Sequence, residues 1–334
     1  MAKLADWLQR RWYGNSAPIV MVPLSWLFRG AVALRRMAYK QAWLPSQRLP
    51  VPVVVVGNLT VGGTGKTPLT IWLVEFLRAA GYKPGVVSRG YGGRKQHKPL
   101  AVSADTDPSE AGDEPVLIAR RTDCPVVVFP RRFEAGQALL AATDCDIIIA
   151  DDGLQHYALA RDVEIAVVDG ERRFGNGFCL PAGPLREPVR RLGEADLIVC
   201  RGQAGEGEYP LSLACGAAVS LDDESVSKPL ADFSGMKLRA VVGIGHPGRF
   251  FADLRDAGLV FEERAFPDHH RYRPEDLGPD DGANVLMTEK DAVKCRGFAT
   301  GRLWSVPLRA RLPPAFGEKL LQLVKAKRDG QKTA

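Results

Sequence analysis

The chain has 334 residues, 46% hydrophobic and 25% charged, with six cysteines and a formal net charge of +6. That length buries a sizeable core and suits two domains, and the composition excludes a disordered or fibrous chain. Cys124, Cys145, Cys179, Cys200, Cys215 and Cys295 form no Cys-x-x-Cys pair, which argues against a zinc site or a secreted disulfide framework and fits a reducing cytosol.

The positive charge sits at the start of the chain. Residues 1–50 hold eight Lys or Arg (Lys3, Arg10, Arg11, Arg29, Arg35, Arg36, Lys40 and Arg48) against one acid, Asp6. Trp7, Trp12, Trp26 and Trp43, four of the six tryptophans, lie there too. The apolar run 17–28 is interrupted by Pro23 and is shorter than the ~20 residues that span a bilayer. No small-residue cleavage site follows it, so it does not read as a signal peptide. Aromatic and basic residues around an apolar segment suit a helix lying among lipid headgroups, drawn to acidic or phosphorylated lipid. A helix packed on the protein's own core is the other reading. Nucleic acid would call for basic residues spread over a whole domain and is not an expected partner.

A short Pro-containing connector at 48–52 leads into alternating patterns. Strands are expected over 53–57, 85–88, 126–129, 147–150, 164–168 and 197–200, and helices over 68–80, 114–121 and 132–142. Such alternation predicts a mostly parallel sheet flanked by helices, with ligands at the carboxyl ends of the strands. The stretch 202–229, rich in Gly, Ser and acids, reads as a boundary. A second α/β pattern follows, with strands over 238–244 and 285–287, a helix over 249–257 and a terminal basic amphipathic helix over 314–327. The residues beyond are expected to fray.

The first strand enters Gly57-Asn58-Leu59-Thr60-Val61-Gly62-Gly63-Thr64-Gly65-Lys66-Thr67-Pro68. A β-branched run, a glycine-rich turn and a helix make the context of a phosphate-binding loop. Backbone N–H groups of Thr60 to Gly65 would converge on phosphate oxygens, Lys66 would reach the outer phosphates and the Thr67 hydroxyl would hold Mg²⁺. The strict pattern has Gly where this chain has Thr60.

Ile147-Ile148-Ile149-Ala150-Asp151-Asp152 ends a strand in two carboxylates, where a nucleotide-binding sheet holds its metal. Asp169 ends another strand and competes, although paired acids followed by His156 favour Asp151 and Asp152. Ser88-Arg89-Gly90-Tyr91-Gly92 could clamp anionic oxygens through Arg89, or be a surface loop with solvated arginines. Of the five histidines, His269 lies in a loop beside Asp268 and could accept a hydroxyl proton; an exposed pair with His270 is the plainer alternative. Thr288-Glu289-Lys290-Asp291 loosely matches the base-reading residues of nucleotide switches, and a helix capped by Thr288 with Asp291 three residues on explains it equally well.

Together with Gly112-Asp113-Glu114-Pro115, Gly153-Leu154-Gln155-His156, Pro181-Ala182-Gly183-Pro184-Leu185-Arg186-Glu187-Pro188 and Thr288 to Lys294, these segments resemble the tetraacyldisaccharide 4′-kinase (lipid A 4′-kinase) family of Gram-negative bacteria. They run in family order from about residue 50 to about 295, and Thr60 is normal for that family. The resemblance implies a P-loop NTPase-like core over 46–225, a smaller C-terminal α/β domain over 226–330 closing on the active site, and a membrane-associating segment over 1–45. It implies transfer of the ATP γ-phosphate to the 4′-hydroxyl of a tetraacylated glucosamine disaccharide 1-phosphate, giving lipid IVA in lipopolysaccharide synthesis. By resemblance, Lys66 and Thr67 hold phosphate and Mg²⁺, Asp151 and Asp152 serve the metal, and Glu187 supports metal or substrate. Asp113 would orient His269 as the base, with Arg89, His156 and Arg186 near substrate or phosphate. The lipid acceptor and cytosolic ATP together imply an inner-membrane protein, peripheral or monotopic, with its site facing the cytoplasm; no protein partner is inferred. A membrane-associated partitioning-type ATPase switch is the rival, but those carry a signature Lys where this chain has Val61. A P-loop enzyme acting on a soluble small molecule would leave the N-terminal segment unexplained.

Overall fold

The computed structural model describes residues 2–14, 17–298 and 301–332. Helices α1 (Ala2–Trp12) and α2 (Val22–Lys40) precede β1 (Val53–Gly57), α3 (Lys66–Ala79), β2 (Pro84–Ser88), β3 (Leu100–Val102), α4 (Pro108–Ala111) and α5 (Asp113–Thr122). Then come β4 (Val126–Val128), α6 (Arg132–Ala142), β5 (Ile147–Ala150), β6 (Val163–Asp169), β7 (Leu197–Arg201) and β8 (Tyr209–Cys215). The rest comprises β9 (Ala218–Ser220), β10 (Ser227–Lys228), β11 (Leu238–Val242), α7 (Pro247–Asp256), β12 (Glu262–Ala265), β13 (Asn284–Thr288), α8 (Glu289–Cys295), β14 (Leu303–Val306), β15 (Leu308–Arg311) and α9 (Pro314–Lys332).

Two sheets result. The first has nine strands in the order β15-β8-β7-β6-β1-β5-β2-β4-β3, parallel from β8 to β4 with an antiparallel strand at each edge. Its central strands are continuous apolar runs because both faces are covered. Leu69, Leu73 and Leu77 of α3 pack with Val54, Val56, Ile147 and Ile149 on one face, and Leu139 of α6 packs with Val53, Val55 and Ile148 on the other. The second has six strands in the order β10-β9-β14-β13-β11-β12, parallel from β14 to β12. The chain passes between the sheets twice, after β8 and before β15. These two strands pair with each other, and Gly216 N–H donates to Pro307 C=O at 2.8 Å beside the pair.

Two expectations change. The stretch 202–229 does hold a crossing between the sheets but is not loose: it contains β8, β9 and β10, strands whose Pro, Gly and Ser content hides their period. The terminal helix does not stay with the second sheet: Phe316, Leu320 and Val324 are fully buried in the first sheet's core. It runs to Lys332, past the point where fraying is expected; residues 333–334 lie outside those described.

At the N-terminus, Pro23 does not break the apolar run but sits in the first turn of α2, where its missing N–H costs nothing. One side of this segment is pinned down: Trp12 Nε1–H donates to Pro181 C=O at 2.8 Å, Ser25 Oγ–H to Cys179 C=O at 2.7 Å, and Arg36 to Glu194 at 2.7 Å. The other is bare, with Ile19, Val20, Leu24, Trp26, Leu27, Leu34 and Trp43 exposed. Among the described residues no helix is long and apolar enough to cross a membrane.

Candidate active site

The carboxyl ends of β1, β5, β2 and β4 bring the loop after Gly57, Asp151–Asp152, Arg89 and Arg132 to one rim of the first sheet. The phosphate-loop candidate stays open. A Cβ added at Gly62 or Gly63 would meet nothing within 4 Å, and Gly62 and Gly65 adopt φ of +107° and +94°, which glycine reaches without strain. The Thr64 hydroxyl is buried without a hydrogen-bond partner. A buried orphan hydroxyl under an open, glycine-lined loop fits an anionic oxygen. The flank is braced by the loop at 179–187: Val61 N–H donates to Pro184 C=O at 2.9 Å, Arg186 N–H to Leu59 C=O at 2.6 Å, and Thr60 bridges Leu185. Lys66 Nζ lies 3.1 Å from Asn58 Oδ1 and 3.5 Å from Asp152 Oδ1.

Asp151 is 1% exposed and accepts a hydrogen bond from Thr70 Oγ at 3.0 Å. Burial, with Glu114 and Asp152 nearby, pushes its carboxyl up, against Lys66 and Thr70. A crowded buried acid of this kind is stabilised in its charged form by a nearby cation. Thr67 lies one turn before Thr70 on the same helical face, so its hydroxyl and the two carboxylates offer the hard oxygen donors that Mg²⁺ takes. Asp152 also receives Arg186 Nη1 at 3.0 Å; Lys66 and Arg186 outweigh its burial and hold it below the usual carboxylate range. Arg186, expected near substrate, is thus paired with an expected metal ligand. Among the described residues no three Asp, Glu, His or Cys side chains group as metal ligands. Glu187 stands elsewhere, 1% exposed, taking hydrogen bonds from Tyr157 and from Gln155 at 3.3 Å, with Arg36 at 3.8 Å. Asp169, the competing strand-end acid, is taken by Arg249 in a bidentate pair at 2.8 Å.

Across the rim, the second sheet presents the carboxyl ends of β11, β12 and β13. The loop after β12 holds His269 at φ +59° and brings its Nδ1 to 3.0 Å from Asp113 Oδ2 at the start of α5. Asp113 is 3% exposed; burial pushes it up, but His269, Lys290 and Lys294 prevail and hold it low. The Asp113 hydrogen bond raises His269 in turn, against burial. Gly92 stands close by at φ +83°, a conformation that favours glycine, where a Cβ would come 3.3 Å from His269 Nδ1, and the Tyr91 ring meets the imidazole edge-on. A cavity of about 180 Å³ opens beside the pair, lined by Gly92, Asp113, His269, Arg271, Tyr272 and Lys294. The exposed His–His alternative does not hold: His270 binds Asp276 at 3.0 Å, separately from the Asp113–His269 dyad.

Arg132 is a member that sequence reading overlooks. It is 4% exposed, its Nη2 reaches Asp152 C=O at 3.4 Å, and its Nε has no partner. The available signal was Pro130-Arg131-Arg132 at a strand's carboxyl end. Burial, with Arg132, Arg161, Arg35 and Arg89 around it, pushes His156 down to about 4. Arg89 itself is exposed. Neutral His156 among arginines suits an anionic or hydroxyl-bearing ligand. At β13, Thr288 accepts from Asp291 N–H and caps α8, which settles that segment as a capping motif.

The family model for tetraacyldisaccharide-1-P 4′-kinase matches residues 17–325. The tetraacyldisaccharide 4′-kinase of Nitrosococcus oceani is 51% identical over 325 residues, covering 97% of this chain and 96% of that one. That of Stenotrophomonas maltophilia is 54% identical over 316 residues, covering 91% and 93%. The crystal structure of LpxK from Aquifex aeolicus, in complex with ATP, superposes with a TM-score of 0.77 at 28% identity, over 91% of this chain and 98% of that one. With the phosphate loop, the paired aspartates and the dyad at one rim, these likenesses leave one assignment: the chain belongs to the tetraacyldisaccharide-1-P 4′-kinase family.

Proposed function

We propose that the protein transfers the γ-phosphate of ATP to the 4′-hydroxyl of a tetraacylated glucosamine disaccharide 1-phosphate, forming the bis-phosphorylated lipid IVA of lipid A synthesis. The observation that carries this reading is the presence of two parts at one rim of the first sheet. One is a loop built for phosphate at Thr60–Thr67; the other is an Asp113–His269 dyad suited to an acceptor hydroxyl. Phosphoryl transfer depends on positioning and charge neutralisation more than on covalent help. Lys66 and the loop N–H groups hold the donor phosphates. Thr67, Asp151 and Asp152 are the residues that would hold Mg²⁺, which when bound neutralises charge on those phosphates. Asp113 occupies His269 Nδ1, so the hydroxyl proton passes to Nε2 as the oxygen attacks phosphorus. Arg132, Arg89 and neutral His156 line the acceptor side, and Arg186 with Gln155 links Asp152 to Glu187.

The bare side of the N-terminal segment supplies the place of work. Exposed Trp26, Leu27, Leu34 and Trp43 beside Arg29, Arg35 and Lys40 suit a lipid surface. Four acyl chains leave a bilayer at a cost of about 0.8 kcal/mol per methylene, so the acceptor is met in the membrane. The protein is accordingly a peripheral or monotopic inner-membrane enzyme facing the cytoplasm, whose smaller C-terminal unit closes on nucleotide before chemistry. Purified protein given γ-labelled ATP, Mg²⁺ and the disaccharide 1-phosphate in detergent should label the 4′ position, and Lys66→Ala should lower that rate by at least about a hundredfold. Absence of transfer by the intact protein would sink the reading, and wild-type turnover in Lys66→Ala would remove the loop from the mechanism.

A further inference from the structure

Helix α8 sends two lysines, one turn apart, toward the acids that open α5. Lys290 Nζ lies 3.2 Å from Glu114 Oε1 and 3.1 Å from Asp268 Oδ1, and Lys294 Nζ lies 3.7 Å from Asp113 Oδ2. Lys294 is held with care. Its ammonium donates to Asp291 Oδ1 at 2.8 Å and lies 5.1 Å from the centroid of the Tyr272 ring. Asp291 is fully buried, and its other oxygen accepts from Thr288 Oγ at 2.7 Å and Gly243 N–H at 3.1 Å. The Lys294 side chain is 10% exposed and that of Asp113 3%, so their charges act through poorly screening surroundings.

His269 faces charge on every side. Asp113 and Glu114 come from α5, Lys290 and Lys294 from α8, Asp268 and Arg271 from its own loop, and Asp107 lines the cavity ahead of α4. A buried aspartate acting alone would orient the imidazole but also hold a proton on it, and a protonated ring accepts nothing. A cation sharing the aspartate separates these two effects.

We propose that Lys294, assisted by Lys290, is a positioning residue for the dyad, sharing the Asp113 charge so that the carboxylate orients His269 without keeping it protonated. This rests on the reading of His269 as the group that takes the hydroxyl proton. Neither lysine gains or loses a proton in the step. Because both lysines stand on the second sheet's helix while Asp113 and Glu114 open α5 on the first, the dyad is tuned only when α8 meets α5.

The test compares full-length Lys294→Met and Lys294→Arg by the pH profile of kcat/KM, with the His269 ring titrated by NMR in the same proteins without substrate. Removing the cation favours the charged imidazole, so the acid limb of Lys294→Met should move up by about one pH unit. The ring titration should move with it, KM for ATP should stay within about twofold, and Lys294→Arg should restore the limb. A rate lost equally at every pH with an unshifted ring titration overturns the proposal. A ring that shifts while the limb does not leaves the lysine effect standing and removes His269 as the base. Should Lys294→Met not fold, Lys290→Met serves in its place: an upward ring shift supports the tuning, and none overturns it.

Discussion

Single residues decide the chemistry here through what already occupies them. Asp169 and Asp152 both end strands, yet a bidentate arginine removes the first from service while Lys66 and Arg186 leave the second facing the phosphate loop. A strand-end acid is visible in sequence, but its counter-charge arrives from a distant segment and is not. Arg132 was illegible for the same reason: an arginine after a strand reads as solvated until its burial is known. The Asp113–His269 pair lies 156 positions apart in the chain, so only the family resemblance joined it beforehand. Its pH behaviour follows from the geometry. On the proposed assignment of His269 as the base, its ring must be neutral to act, and Asp113 raises its pKa from the ordinary 6.5. Activity therefore falls as pH drops through that raised value. Asp113→Asn withdraws the lift, so the acid limb should move to lower pH while kcat falls about 10²–10⁴-fold; a limb that stayed put would exclude His269 as its origin.

Among elements, the sheet was legible and its edges were not. Central strands such as Ile147–Ala150 announce themselves because burial on both faces demands an unbroken apolar run. Strands β9, β10 and β15 are short and β8 is mixed in composition, so all four are stabilised by partners rather than by their own pattern. The amphipathic stripe of α9 likewise shows that it packs, not on what. The close contact of β1 with the turn after β5 gives an element-scale prediction. A Cβ at Gly57 would stand 2.5 Å from Leu154 Cβ and 2.9 Å from its backbone nitrogen. Gly57→Ala should therefore cost about 1–3 kcal/mol of stability and push apart the phosphate loop and the Asp151–Asp152 turn. Denaturant unfolding and ATP affinity read the two effects, and unchanged values for both would mean the contact relaxes freely.

For the molecule as a whole, the N-terminal segment and the loop at 179–187 form one bracket: the bare apolar side points outward and the hydrogen-bonded side holds the phosphate loop. Because Trp26 and Leu27 are 64% and 72% exposed, the Trp26→Glu, Leu27→Glu double variant should keep its thermal midpoint. It should also lose most of its flotation with anionic vesicles, while transfer to a detergent-dispersed acceptor survives. Undiminished flotation would place lipid contact elsewhere.

The paired crossing of β8 and β15 limits how such a molecule can move. Two separate linkers would let the sheets slide, tilt and twist against each other. Here both connections run side by side and are hydrogen-bonded into one ribbon, locked at Gly216 and Pro307. Sliding would break that ladder, and twisting would shear it. Bending across the ribbon keeps it intact, so the closure proposed above would run as a rotation across that ribbon, carrying His269 toward the phosphate loop.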